Sequence, residues 1–399
     1  METQSLTVPV QVSPPVEGRL AKTAGYYAAF IALGLVSASL GPTLPGLAQQ
    51  THVSLSAISL LFTARAFGYL LGALGGGRLY DRMPGHPLMA AGLGSMAIMM
   101  ACVPFAPLLA VLIGVMFLIG VFESLIDIGG NTLIVWVHRR EVGPFMNGLH
   151  FFFGVGAFLS PLVVAQAMSL SGGISLAYWL LALVMLPVAA SVWRIPNPIP
   201  QTVAQNTGAG AANLWLVAGI ALFMFLYAGA EVSFGGWIYT YAVTLHVADQ
   251  ALAAYLTSAF WGALTVGRLL AIPLAARFTP GVILFSNLAG CLASIGLLIL
   301  APPSFVTIGV GAIGLGLFMA PIFPTTLSFS ERQMTITGKV TGWFFMGASA
   351  GAMTLPWLIG QLFEGLGPQT LMVTILAALL GAAVILTSVW VYSKRHYSA

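Results

Sequence analysis

Leu108–Val137 reads LLAVLIGVMFLIGVFESLIDIGGNTLIVWV, an apolar run that carries Glu123, Asp127 and Asn131 in its interior. A helix rises 1.5 Å per residue, so about 20 residues cross the hydrocarbon core of a bilayer, and this run spans it with Glu123 near mid-depth. The spacing i, i+4, i+8 sets the three polar side chains on one slowly turning stripe and leaves the other faces for lipid or neighbouring helices. A carboxylate at that depth costs about 3 kcal/mol unless a partner, a proton or a ligand offsets it. Acids in this position therefore mark a functional site.

The rest of the chain has the same character. Of 399 residues 59% are hydrophobic and 6% charged, whereas a soluble domain is about a quarter charged. The apolar runs are long and continuous, with none of the alternation of an outer-membrane barrel, so the spans are helices. Cys102 and Cys291 lie inside apolar runs, remote from any Cys/His cluster. They are expected to pack as small apolar residues, which argues against a disulfide framework or a metal site. The first 23 residues are polar, with Glu2, Glu17 and three prolines but no apolar h-region, and read as a cytosolic tail without a cleaved signal peptide.

Twelve apolar segments follow, at about 24–48, 55–80, 87–105, 108–137, 144–168, 173–193, 213–243, 250–276, 280–300, 304–327, 335–362 and 368–392, each boundary read to within a few residues. Twelve of the fourteen Lys and Arg, from Arg19 and Lys22 through Arg82, Arg139, Arg194 and Arg277 to Arg395, fall in or beside the tails and the even-numbered loops. By the positive-inside rule both termini are cytosolic and the protein is multi-pass in the cell's inner (plasma) membrane. The net charge of +4 then reflects topology, and no soluble basic face exists for nucleic acid. Residues 195–212, IPNPIPQTVAQNTGAGAA, read as a flexible cytosolic linker. It divides a half at 24–194 from a half at 213–393, with tails at 1–23 and 394–399. The halves match at an offset of 195 residues: Gly72 with Gly267, Arg82 with Arg277, Gly156 with Gly351, Ala157 with Ala352, Pro161 with Pro356 and Gln166 with Gln361. The expected fold is an all-α membrane protein of twelve transmembrane helices in two pseudo-symmetric six-helix halves. That architecture is similar to the major facilitator superfamily, whose halves rock about a site near the midplane.

Span 2 ends GGGRLYDRMPGH, where Gly77, Asp81 and Arg82 resemble that superfamily's loop 2–3 signature, with His86 and Pro87 in place of its basic pair. Asp81 at a helix end can pair with an Arg or cap a neighbouring helix and latch the inward-closed state. Longer strings narrow the field: LGPTLPGL, ARAFGYLLGALGGGRLYD, SLIDIGGNTLIVW and MNGLHFFFGVGAFLSPLV in the first half, then LYAGAEVSFGGWIYTYAV, AYLTSAFWGALTVGRLLAIPLAARF, PIFPTTLS and TLPWLIGQLFE in the second. Together they resemble the sodium-dependent glucose transporter branch of the superfamily, distantly related to fucose:proton symporters. That resemblance implies facilitated or cation-coupled sugar uptake, with motif residues at Arg65, Asp127, Asn131, His150, Glu231, Trp237 and Arg268. Glu123 departs from the pattern.

The residues themselves suit a hydroxyl-rich ligand. Asn131 and Asn147 can each donate and accept, while Trp237, Tyr239, Tyr241 and Trp261 can stack on a pyranose face or cap it. The alternative for Tyr241 is an interfacial aromatic belt. Gly235-Gly236 between Glu231 and Trp237 is expected to unwind span 7. Arg65 and Arg268 are the cations well inside spans and demand carboxylate partners. We expect Arg65 to pair with Asp127, and Arg268 with Glu231, unless Arg268 pairs at the interface between the halves. Glu123 and Asp127, one turn apart, can share a proton or, with Asn131, ligate sodium. His150, early in span 5, can titrate near neutral pH or simply pack. No nucleophile elbow, HExxH or Walker loop is present, so an enzyme is not expected. GLGLF and GALGGG read as helix-packing glycines.

The expected protein is a monomeric secondary transporter that moves a small polyhydroxylated solute, a hexose such as glucose, through the lipid bilayer by alternating access. Asn131, Asn147, His150, Glu231, Trp237, Tyr241 and Trp261 would bind the substrate. Asp127, Glu123 and Arg65 would couple an ion, and Asp81, Arg82, Arg268 and Arg277 would gate or brace the halves. No cofactor or metal is expected beyond a coupling H+ or Na+. The alternatives are a proton-coupled exporter of drugs or amphipathic metabolites, disfavoured because FGVGAFLSPLVV lacks the antiporter Gly-Pro-Gly-Gly cluster, and a non-transporting sensor on a transporter scaffold.

Overall fold

Inside lipid a backbone must satisfy its own hydrogen bonds, and long apolar segments therefore close into helices. The computed structural model describes residues 18–198, 213–334 and 337–397, and among them no strand forms. Of the expected tails and linker, residues 1–17, 199–212 and 398–399 lie outside the described residues.

Span 1 is two helices, Arg19–Ser37 and Leu40–Thr51, and span 2 opens with a short turn, Leu55–Ile58, before Leu60–Arg82. Spans 3 to 6 are Gly85–Cys102, Leu109–His138, Val142–Ser171 and Ser175–Arg194. The second half repeats the series with Leu214–Thr244, Gln250–Arg277 and Pro280–Leu300 as spans 7 to 9. Span 10 is again broken, into Phe305–Met319 and Ile322–Glu331, and spans 11 and 12 are Gly338–Leu366 and Thr370–Tyr397. Eleven of the twelve are long and apolar enough to cross a membrane by length and composition, and span 11, outside that set, has 29 residues. Large apolar side chains such as Leu183, Val306 and Val384 stand on the outer surface, where a hydrocarbon solvent would meet them.

The pairings of one half recur in the other. Spans 1 and 5, 2 and 4, and 3 and 6 pack together, as do 7 and 11, 8 and 10, and 9 and 12. The matching glycines explain why. A Cβ at Gly156 would run into the Ile31 carbonyl of span 1, and one at Gly351 into the Phe225 carbonyl of span 7. Between the halves, span 5 packs on span 8 and span 2 on span 11.

Two breaks divide helices at mid-depth, at Ala38–Ser39 and Ala320–Pro321. In each case a proline, Pro42 or Pro324, stands four residues after the alanine and has no N–H for its carbonyl. The expected unwinding at Gly235-Gly236 is not found, because Leu214–Thr244 is one continuous helix. Those glycines instead admit neighbours: Trp261 lies against Gly235 and Phe62 against Gly236.

The halves touch at the face away from the described chain ends. There Ser56 and Gln361 exchange hydrogen bonds (2.8 and 2.9 Å), and the Leu55 N–H donates to Glu364 Oε1 at 2.8 Å. Toward the face of Arg19 and Tyr397 the same four helices part, leaving Leu79, Asn147, Arg277 and Lys339 exposed. The molecule is therefore open toward the face that carries the described chain ends. Cys291 is buried as expected, but Cys102, at the far end of span 3, is exposed.

Candidate functional site

Spans 2 and 4 run parallel, and their polar residues meet rung by rung. Arg65 Nε and Nη2 donate to Glu123 Oε2 and Oε1 at 2.7 and 2.5 Å. The third guanidinium nitrogen, Nη1, donates to the Ser37 carbonyl (3.0 Å), beside the break in span 1, and Ser37 Oγ donates to Glu123 Oε1 at 3.1 Å. This corrects the expected Arg65–Asp127 pair. One turn along both helices, Tyr69 Oη donates to Asp127 Oδ2 at 2.5 Å, while Asn131 Nδ2 donates to Asp127 Oδ1 at 3.0 Å and to the Asp127 carbonyl at 2.9 Å. Both rungs bridge residues 58 apart in sequence. A register in which Arg65 and Tyr69 are i, i+4 fixes the order. Glu123 is sealed, with side-chain exposure of 5%, but Asp127 and Asn131 are only half-buried.

The second half builds a counterpart from span 7. The single Tyr227 O–H lies within hydrogen-bond reach of both the Glu231 carboxylate and the Met319 carbonyl (3.0 Å), next to the break in span 10, and is shared between them. In both halves, then, one donor side chain ties an intramembrane acid to the carbonyl exposed by a broken helix. Arg268 lies within electrostatic reach of Glu231 and His150. It forms no ion pair among the described residues, which corrects the expected Arg268–Glu231 salt bridge.

The remaining expected residues fall into three places. Asn147 and His150 are exposed on span 5, with the His150 ring edge-on to Phe30 at 5.9 Å. Trp261 is half-buried against Gly235 of span 7. Trp237 and Tyr241 are fully buried; within the second half the Trp237 Nε1 donates to the Pro356 carbonyl (3.0 Å) and its ring stacks on Phe363 at 5.1 Å, and across the divide the ring meets Phe62 of span 2 at 6.2 Å. Asp81, Arg82 and Arg277 are exposed at the open face. No ion pair of Asp81 forms among the described residues. Sequence reasoning did not single out Ser37, Tyr69 or Tyr227. Tyr69 and Tyr227 sit one turn from Arg65 and Glu231 on the same helix, which is the available signal.

Among the described residues twelve spans form two like halves, parted at one face and holding acids at mid-depth on both sides of the divide, which is the architecture of a membrane transporter. The chain belongs to the major facilitator superfamily: the family described as Major Facilitator Superfamily matches residues 26–354. It is 30% identical over 374 residues to the sodium-dependent glucose transporter 1A of Mus musculus, covering 84% of this chain and 88% of that one. It is 27% identical over 464 residues to the major facilitator superfamily domain-containing protein 4A of Homo sapiens, covering 91% of this chain and 90% of that one. Among solved structures, a point mutant of the nucleoside transporter NupG aligns with a TM-score of 0.75 at 13% identity over 94% of this chain and 99% of that one. A bacterial homologue of the human lysosomal transporter Spinster, in an inward-facing and occupied conformation, aligns at 0.72 and 14% identity over 95% and 96%.

Proposed function

We propose that the chain carries a hexose such as glucose across the cell's inner membrane by alternating access, driven by an inward proton gradient that acts through Asp127. The observation that carries this reading is the separation of the two acids of span 4. Arg65 neutralises Glu123 with two charge-assisted bonds, whereas Asp127 is half-buried beside Asn131 and has no ion-pair partner among the described residues. An acid held by hydroxyl and amide donors can gain and lose a proton without rearranging its neighbours. A sodium ion would need oxygen lone pairs in place of the Asn131 N–H now aimed at Oδ1. The names of the relatives favour sodium as the second reading. The Lys and Arg distribution supports cytosolic termini, so the opening faces the cytosol, and one chain supplies both halves of a transport unit.

Labelled glucose uptake into proteoliposomes tests the reading, with a pH or sodium gradient imposed and then collapsed. Accumulation above equilibrium under an inward proton gradient is expected. Accumulation only with sodium would move the assignment to the second reading, and equilibration under every gradient would remove coupling altogether.

A further inference from the structure

Spans 5 and 8, from opposite halves, cross where Gly154 lies against Thr265, so closely that a Cβ at 154 would collide with the threonine side chain. One turn outward, Phe158 fills the space beside Gly262. One turn toward the open face the packing ends. His150 precedes Gly154 by four residues and Arg268 follows Thr265 by three, so both stay on the facing sides of their helices. His150 is exposed there and Arg268 half-buried, and together they flank the vertex from which the halves diverge.

Arg268 is the residue the site leaves unexplained. Its depth is about 13 Å from the end of span 8, counting nine residues to Arg277, yet it makes no hydrogen bond or ion pair with any described residue. A guanidinium inside a membrane is there for a partner. Its planar fork presents parallel N–H groups that match two neighbouring acceptor oxygens, and vicinal hydroxyls of a pyranose supply such a pair. Glu231 stands within electrostatic reach and offsets the charge, so a neutral ligand fits better than an anion. Trp261, seven residues before Arg268 on the same face, lies one turn beyond the Gly154–Thr265 contact with its ring against Gly235.

Building on the hexose reading above, we propose that Arg268 holds two adjacent hydroxyls of the sugar while His150 meets the same edge from the other half, which makes Arg268 a specificity-determining residue. The test is binding of glucose and its monodeoxy analogues to purified protein, followed by thermal shift and calorimetry, for wild type, Arg268→Lys and His150→Gln. In wild type, removal of either of two adjacent hydroxyls is expected to weaken binding about ten- to a hundredfold. Arg268→Lys keeps the charge and the fold but loses the fork. It should bind glucose as weakly as those two analogues and no longer tell them apart from glucose, with discrimination at the other positions intact. His150→Gln should weaken glucose and shift the same edge. A lysine variant with the wild-type profile, or one weakened equally at every position, overturns the assignment of Arg268. Wild type that binds no sugar overturns the hexose reading itself.

Discussion

Arg65 reaches both oxygens of Glu123 and the Ser37 carbonyl together, and that choice of partner sorts the two acids of span 4. Removing one member of such a pair strands a charge in an apolar surrounding, so Arg65→Ala or Glu123→Ala alone should destabilise the protein by about 3–5 kcal/mol. Arg65→Met combined with Glu123→Leu should recover most of that loss, which thermal unfolding of purified protein in detergent can measure. Asp127→Asn belongs to the other category. An amide can still accept from Tyr69, and a turned Asn131 amide can accept from the new N–H, so melting should change little, while uptake driven by a pH gradient should fall to gradient-independent exchange in the proteoliposome assay. The stripe of Glu123, Asp127 and Asn131 was legible from spacing alone. Which acid takes the arginine was not, because spacing within one helix says nothing of the height at which a second helix meets it. That height is set by Gly68 against Phe117, Gly72 against Val121 and Gly120 against Arg65, backbone approaches that only the packed pair reveals.

At the level of helices, the duplication read at an offset of 195 residues becomes a repeated set of crossings. Gly72 approaches Val121 and Ser124 of span 4, and Gly267 approaches Leu317 and Ala320 of span 10. The turns after spans 1 and 7 repeat too: His52 and His246 both take a positive φ of 55°, and Val53 and Val247 then bond back to Ala48 and Ala242. There the offset is 194. It returns to 195 at the next caps, where Ser54 and Asp249 each accept from the N–H three residues on, so the turns differ by one residue. Gly156→Ala and Gly351→Ala should each lower stability by about 1–3 kcal/mol, because the new methyl meets a neighbouring backbone carbonyl that cannot yield alone. Gly77→Ala, with nothing near it, should be neutral or slightly stabilising; melting temperatures of the three variants decide it. The breaks in spans 1 and 10 were harder to foresee. Pro45, Pro161, Pro187, Pro273 and Pro356 all sit inside unbroken helices, so a proline by itself does not open a helix; at the two breaks Arg65 or Tyr227 also takes a carbonyl beside the gap.

For the molecule as a whole, the contact between halves sets which face opens. Among the described residues its polar members are Gln361 with Ser56 and Ser59, Ser59 Oγ on the Trp357 carbonyl, Glu364 with the Leu55 N–H, Thr63 Oγ1 on the Met353 carbonyl at 2.9 Å and, between spans 5 and 8, Gln166 with Tyr255. Beneath them Trp237, anchored within its own half on Pro356 and Phe363, packs across the divide on Phe62. Each of the polar bonds between the halves contributes about 1 kcal/mol net, so each stabilises this state and no state in which that face has opened. Gln361→Ala with Glu364→Gln should therefore shift the balance between states about tenfold toward opening at the sealed face. Ile58, fully buried in the seal, reports this when replaced by cysteine in a Cys102→Ser, Cys291→Ala background. An impermeant maleimide added from that side should label Ile58→Cys about tenfold faster in the double variant, while Asn147→Cys, exposed at the opposite face, should label more slowly when the reagent is supplied on its own side. Unchanged labelling at both positions would mean that these bonds do not decide the balance and that the apolar plug of Trp237, Phe62 and Phe363 holds the face shut by itself.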